Sequence, residues 1–163
     1  MNLAICPGSF DPVTCGHLNI IARAAAMFDK VIVVVMVNNN KHPLFTQDER
    51  VELLRRATAG FPNVEVDAYS GMLAEYAREQ QATVIVKGLR AMSDFEYEFQ
   101  MALTNRKLNP TVETVFLTTN AEYMYLSSSL VKQVAALGGD IHEFVPACIV
   151  KDILEKYGRN EET

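Results

Sequence analysis

Five short runs of branched apolar residues recur along the chain, at residues 3–6, 31–37, 64–66, 83–86 and 114–117. Most are apolar without alternation, the pattern of parallel strands covered on both faces. The segments between them carry helical periodicity and helix-start chemistry. Leu18, Ile21, Ala25 and Phe28 fall on one stripe of a first helix that starts near His17. Thr46 with Glu49, and Ser93 with Glu96, have the spacing of capping boxes and mark two more starts. A helix beginning within residues 127–129 turns Leu130, Val131, Val134 and Leu137 inward and stops at Gly138–Gly139. The last has Pro146 in its first turn and Ile149, Ile153 and Tyr157 at four-residue spacing. No internal repeat or linker interrupts this order.

Strands alternating with helices predict one α/β domain over residues 1–157, Rossmann-like and doubly wound, with a five-stranded parallel sheet and right-handed crossovers. Residues 158–163 read as a polar tail that frays. At 163 residues the chain can bury a sizeable core. Its formal charge of −5 argues against wholesale nucleic-acid binding. Cys6, Cys15 and Cys148 show neither CxxC pairing nor Cys/His ligand spacing, so no disulfide framework or zinc site is expected. The opening residues do not read as a signal peptide, and the apolar run at 31–37 is far short of the ~20 residues of a membrane helix. The reading is of a reduced, cytoplasmic protein without a membrane partner.

In such a sheet, ligands bind beyond the carboxyl ends of the strands, where the strand order reverses. The first strand runs into "PGSFDPVTCGH" and the second into "NNNKHP", with Lys41. The fourth runs into "KGLR", with Lys87, Gly88 and Arg90, and the fifth leads to the serine-started helix. Each feature alone has an ordinary reading: a Pro-Gly turn, a solvated cation, a plain N-cap. His17 is odder, because the positive end of a helix dipole disfavours its protonation. Gathered at one edge, two lysines, an arginine, a histidine and a helix N-terminus point to phosphate. There is no GxxxxGK[ST] loop and no GxGxxG fingerprint. What remains is Thr14-Cys15-Gly16-His17, where Gly16 lets a nucleotide lie against the turn and His17 can address a phosphate.

"PGSFDPVTCGH" resembles the T/HxGH signature of the nucleotidyltransferase superfamily, and "YLSSSLVK" its serine-rich second signature. "NNNKHPLFTQDERVEL", "VKGLRAMSDFEYEFQMALTNRKL" and "HEFVP" make the chain most similar to bacterial phosphopantetheine adenylyltransferases, over roughly residues 2–157. The resemblance implies adenylyl transfer from ATP to 4′-phosphopantetheine, giving dephospho-coenzyme A and pyrophosphate, with Mg²⁺. It also implies a homohexamer and feedback by coenzyme A. By motif position, Ser9, Phe10, His17, Gly88, Leu89, Arg90, Glu98, Tyr123, Ser127, Ser128 and Ser129 would contact ATP. Ser9, Lys41, Leu73, Lys87, Met101 and Asn105 would hold the acceptor. His17, Lys41, Arg90 and Ser128 would be catalytic. Ser9 stands where many members have Thr, Lys87 where many have Arg, and Cys15 where Asn is usual; Lys87 keeps the charge but loses the bidentate fork.

The residue types suit this chemistry. A phosphomonoester has its second pKa at about 6, so at pH 7 it is already a nucleophile and needs no base. The task left to the protein is orientation and charge stabilisation. Two other readings stay open on the residues: a sister transferase acting on nicotinamide mononucleotide or an alcohol phosphate, and a non-catalytic nucleotide module. A phospho-receiver domain fits poorly, because the expected acidic residues are missing. For Cys15 a reactive thiol at a helix start and a buried, inert one stand side by side.

Overall fold

The computed structural model describes residues 1–38 and 42–161, with the backbone alone at Met92 and Ser93. Strands β1 (Leu3–Gly8), β2 (Lys30–Met36), β3 (Val64–Tyr69), β4 (Val84–Leu89) and β5 (Glu113–Thr118) form one parallel sheet in the order β3-β2-β1-β4-β5. Helices α1 (Cys15–Met27), α2 (Gln47–Ala57), α3 (Leu73–Glu79), α4 (Met92–Leu108), α5 (Ser128–Ala136) and α6 (Val150–Lys156) complete the domain.

The unbroken apolar runs of the central strands follow from cover on both faces. Ala4, Cys6, Val31, Val33, Val35 and Val86 face a core shared with Ile21 of α1, Leu54 of α2, Val131 of α5 and Ile153 of α6. Ile5, Ile32, Val34 and Ile85 face the other way, onto Tyr76 and Ala77 of α3. Edge strand β3 alternates between half-buried and exposed from Val64 to Asp67, and its last two residues, Ala68 and Tyr69, are both half-buried.

Every strand runs further toward its carboxyl end than its apolar stretch, with the exception of β2. Pro7 and Gly8 belong to β1, and Lys87, Gly88 and Leu89 belong to β4 rather than to a loop. The ladder to β5 accounts for the second case, pairing Lys87 with Phe116, Gly88 with Leu117 and Leu89 with Thr118. Backbone pairing outweighs the lysine and glycine there. Between β1 and β4 the register covers only Ala4–Val84 and Ile5–Ile85, against six pairs between β1 and β2. Pro7, without an N–H, stands where the two strands part. A cleft opens at the reversal of strand order.

The helices correct several expectations. The capping box of α2 is present: Thr46 Oγ1 accepts from Glu49 N at 3.2 Å and Glu49 Oε2 from Thr46 N at 2.8 Å. Helix α4 instead starts at Met92 behind Ala91 with no side-chain cap, so Ser93 and Glu96 lie inside it. Asp94 answers the helix dipole there and pairs with Arg90. The core face of α1 is Ile20, Ile21 and Ala24, because Ile20 must fill the space that Gly88 leaves beside it; a Cβ on Gly88 would stand 2.9 Å from Ile20 Cγ1. Leu18 and Ala25 only flank that face, and Phe28 is the C-cap.

Leu137 is 79% exposed, since α5 ends before it and Gly138 turns the chain at φ +81. Pro146 opens a short 3₁₀ turn, Ala147–Ile149, ahead of α6 rather than the helix itself. The tail is tied down at Arg159, which donates from Nη2 to Ala136 O at 3.0 Å.

Candidate functional site

The splay of β1 from β4 makes a first chamber of about 250 Å³. Its floor is Pro7, Gly8, Lys87 and Gly88; its walls hold Phe10, Gly16, His17, Arg90, Glu98 and Tyr123, with Ser127 and Ser128 at the rim. Ser128 is shared with a second chamber of about 420 Å³, whose wall includes Ser9, Asp11, His42, Arg50, Ser129 and Lys132.

His17 is held by α1 itself. Thr14 caps the helix, its Oγ1 accepting from His17 N at 3.2 Å, while Thr14 N donates to His17 Nδ1 at 3.0 Å. The imidazole thus fills the place a Glu takes in an ordinary capping box. With Nδ1 accepting, the neutral ring carries its proton on Nε2, the nitrogen left to the chamber. Burial, then the charges of Arg90 and Lys87, push the His17 pKa down from 6.5 to about 4. Phe10 braces the ring edge-on at 5.0 Å. Phe10 adopts φ +48, a left-handed conformation uncommon outside glycine, and Gly8 makes room for it: a Cβ there would meet the Phe10 ring at 3.0 Å. His17 is therefore a neutral, pre-aimed hydrogen-bond donor.

The cations come from β4 and the residue after it. Lys87 Nζ lies 3.5 Å from Glu98 Oε2. Arg90 reaches Asp94 Oδ2 from Nε at 3.3 Å and Leu126 O from Nη1 at 2.9 Å. At the start of α5, Ser127 Oγ accepts from Leu130 N at 3.1 Å. Ser128 Oγ donates to Pro12 O at 2.8 Å, which uses the hydroxyl proton and ties the start of α5 to the opening turn. With the Leu130 amide taken by the Ser127 cap, the amides of Ser128 and Ser129 are the helix-start donors left to favour an anion.

The structure brings Phe10, His17, Lys87, Gly88, Arg90, Glu98, Tyr123, Ser127 and Ser128 together in the first chamber. Ser9 and Ser129 stand in the second. Leu89, Leu73, Met101 and Asn105 line neither: Leu73 packs at the edge of the α3 core, and Asn105 is buried in α4, its amide making no hydrogen bond to another described residue. Lys41 lies outside the described residues. Gly16 lines the chamber, and a Cβ there would find only ordinary contacts of 3.4 Å to Thr14 Oγ1 and 3.6 Å to Tyr123 Cβ. The fold itself does not demand that glycine. Cys15 lines neither chamber, and burial, then Glu122, push its thiol pKa up, which favours the inert reading.

Sequence reasoning passed over Asp11, Arg50 and Lys132. Asp11 Oδ2 accepts from Leu44 N at 2.9 Å and Lys132 Nζ at 3.1 Å, and Oδ1 from Phe45 N at 2.9 Å. Each looks like an ordinary turn or helix-surface residue until tertiary contacts bring them together.

Nucleotidyltransferases generally work with a divalent ion. Among the described residues, no three His, Cys, Asp or Glu side chains gather to hold one. Glu98 and Asp94 are engaged by Lys87 and Arg90. This donor set does not fit a resident ion cage; magnesium is commonly carried on substrate phosphates instead.

An open α/β sheet with a cationic, amide-rimmed cleft at its switch point defines a nucleotide-handling class, and the chain matches the cytidylyltransferase-like family model over residues 5–134. Solved structures share the fold: a putative nicotinate-nucleotide adenylyltransferase from Vibrio parahaemolyticus (TM-score 0.72, 19% identity, 100% of this chain and 98% of that one) is one. A second is the nicotinic acid mononucleotide adenylyltransferase of Plasmodium falciparum (TM-score 0.69, 15% identity, 99% of each chain). Among curated relatives, the phosphopantetheine adenylyltransferase of Caldanaerobacter subterraneus subsp. tengcongensis is 57% identical over 98% of this chain and 100% of its own. That of Heliobacterium modesticaldum is 54% identical over 97% and 94%. The chain belongs to the phosphopantetheine adenylyltransferase family.

Proposed function

We propose that this chain transfers the adenylyl group of ATP to the phosphate of 4′-phosphopantetheine, releasing pyrophosphate and forming dephospho-coenzyme A. Family membership supports the reaction. The observation that carries the mechanism is His17, neutral and locked with Nε2–H toward a chamber that also holds Lys87, Arg90 and the start of α5.

The acceptor phosphate, largely dianionic at pH 7, attacks the α-phosphorus in line, and pyrophosphate leaves from the opposite side. No side chain has to remove a proton. His17 donates to an oxygen of the α-phosphate as charge builds there, and Arg90 and the amides of Ser128 and Ser129 hold the polyphosphate. Phe10, Gly88, Leu89, Glu98, Tyr123 and Ser127 enclose the nucleotide. Ser9, Lys41 and Lys87 neutralise the acceptor phosphate, and Leu73, Met101 and Asn105 line the path of its arm. Mg²⁺ enters with ATP as part of the substrate.

The exposed Phe95, Phe99 and Leu103 of α4 support self-assembly, for which we take the homohexamer. Coenzyme A, which carries both the adenylyl and the pantetheine halves, fits as a feedback ligand of the same cleft. Free thiols at Cys6, Cys15 and Cys148 support a reducing, cytoplasmic setting. Among the described residues no helix is long and apolar enough to cross a membrane.

An acceptor panel tests the substrate. With ATP fixed, 4′-phosphopantetheine should be adenylylated, and nicotinate or nicotinamide mononucleotide should not. Turnover of a mononucleotide at a comparable kcat/KM would contradict the assignment.

A further inference from the structure

Arg50 sits on α2 with 5% of its surface exposed. Its Nη1 donates to Ser9 O at 3.1 Å and its Nε to Thr46 O at 3.4 Å. No carboxylate of a described residue comes within 4.0 Å, whereas the other described lysines and arginines that line the two chambers each have one: Lys87 has Glu98, Arg90 has Asp94 and Lys132 has Asp11. A guanidinium has five N–H donors, so two carbonyls leave much of its edge unclaimed. A buried charge without a countercharge is costly unless a ligand supplies one. Arg50 lines the second chamber, beside the Ser9 and Ser129 that face the same space.

We propose that Arg50 is an anion-binding residue of the second chamber, taking a phosphate group that one of the two substrates brings. The pair Asp11–Lys132 is self-neutralising, so Arg50 gives this wall its net positive charge. Neutral carbonyls fix one edge of the fork and orient the other. Ser9 O is one of those carbonyls, so phosphate on Arg50 and the geometry of the opening turn are linked. This inference rests on the adenylyl-transfer reading for the identity of the two ligands, but not for the phosphate chemistry.

Calorimetry on the full chain tests it with ATP, 4′-phosphopantetheine and inorganic pyrophosphate, each alone. Arg50→Gln keeps an amide donor for Ser9 O and drops the charge; Arg50→Lys keeps the charge and drops the fork. Arg50→Gln should weaken one substrate about 10–100-fold, with Arg50→Lys weakening the same one about 3–10-fold. Which substrate responds names the source of the phosphate. Inorganic pyrophosphate should weaken with the Gln variant whether or not the wild type catalyses transfer, so failure of the function leaves this result readable. Unchanged binding of all three ligands would overturn the proposal. So would equal weakening of every ligand by both variants with a fall in Tm, the mark of a brace for the Ser9 turn alone. Should Arg50→Gln not fold, Arg50→Lys carries the test, and unchanged affinities in it would refute the role.

Discussion

His17→Ala should lower kcat by about 10²–10³-fold while the ATP Kd moves only a few-fold. A donor that acts on charge developing in the transition state contributes little to the ground-state complex. The pH dependence should discriminate further. His17 titrates at about 4, so an acidic limb near pH 6 belongs to the acceptor phosphate and should survive in the variant. Disappearance of that limb would make the imidazole the titrating group and the base mechanism correct.

The same substitution has a stability signature of known sign. The folded chain refuses a proton at His17 that the unfolded chain takes at 6.5. Its contribution is intact above pH 6.5 and is lost as the pH falls through the window down to about 4. His17→Ala removes that loss, so its Tm should fall less steeply on acidification. At neutral pH the variant should be less stable by about 1 kcal/mol, because Thr14 N loses its capping partner.

Lys87→Met should reduce kcat/KM for 4′-phosphopantetheine about 10–100-fold, the worth of a charge-assisted contact, with ATP affinity nearly unchanged. The structure makes this a demanding test, because Lys87 shares the first chamber with Arg90 and Gly88, assigned to the nucleotide. Calorimetry with ATP alone separates the two. Loss of ATP binding as severe as the loss of acceptor use would move Lys87 to the nucleotide. Lys87→Arg, which keeps the charge and adds a fork, should retain activity.

Where local chemistry decides, the sequence could be read directly. The doubly buried strands carried continuous Val and Ile, and the Thr46–Glu49 box fixed the start of α2. The cleft residues in or just after β1 and β4 were also visible, since an open parallel sheet brings strand ends to one edge. Partner strands decide other features. The extension of β4 through Lys87–Leu89 comes from its ladder with β5, and the rotated face of α1 from Ile20 against Gly88. Nothing in "SDFE" reveals that Ala91 already precedes a helical residue. Arg50 and Lys132 read as polar positions on amphipathic helices, and only the folded chain sets one against Ser9 and the other against Asp11. His17 shows both sides. Its oddity at a helix start was legible, but its service as a capping acceptor, which fixes the tautomer, was not.

The most direct measurement of the whole account is pyrophosphate release by the purified chain, assayed with each component left out in turn. Pyrophosphate should form only when ATP, Mg²⁺ and 4′-phosphopantetheine are all present, in step with dephospho-coenzyme A. ATP turnover of similar size without the pantetheine would contradict adenylyl transfer to that acceptor.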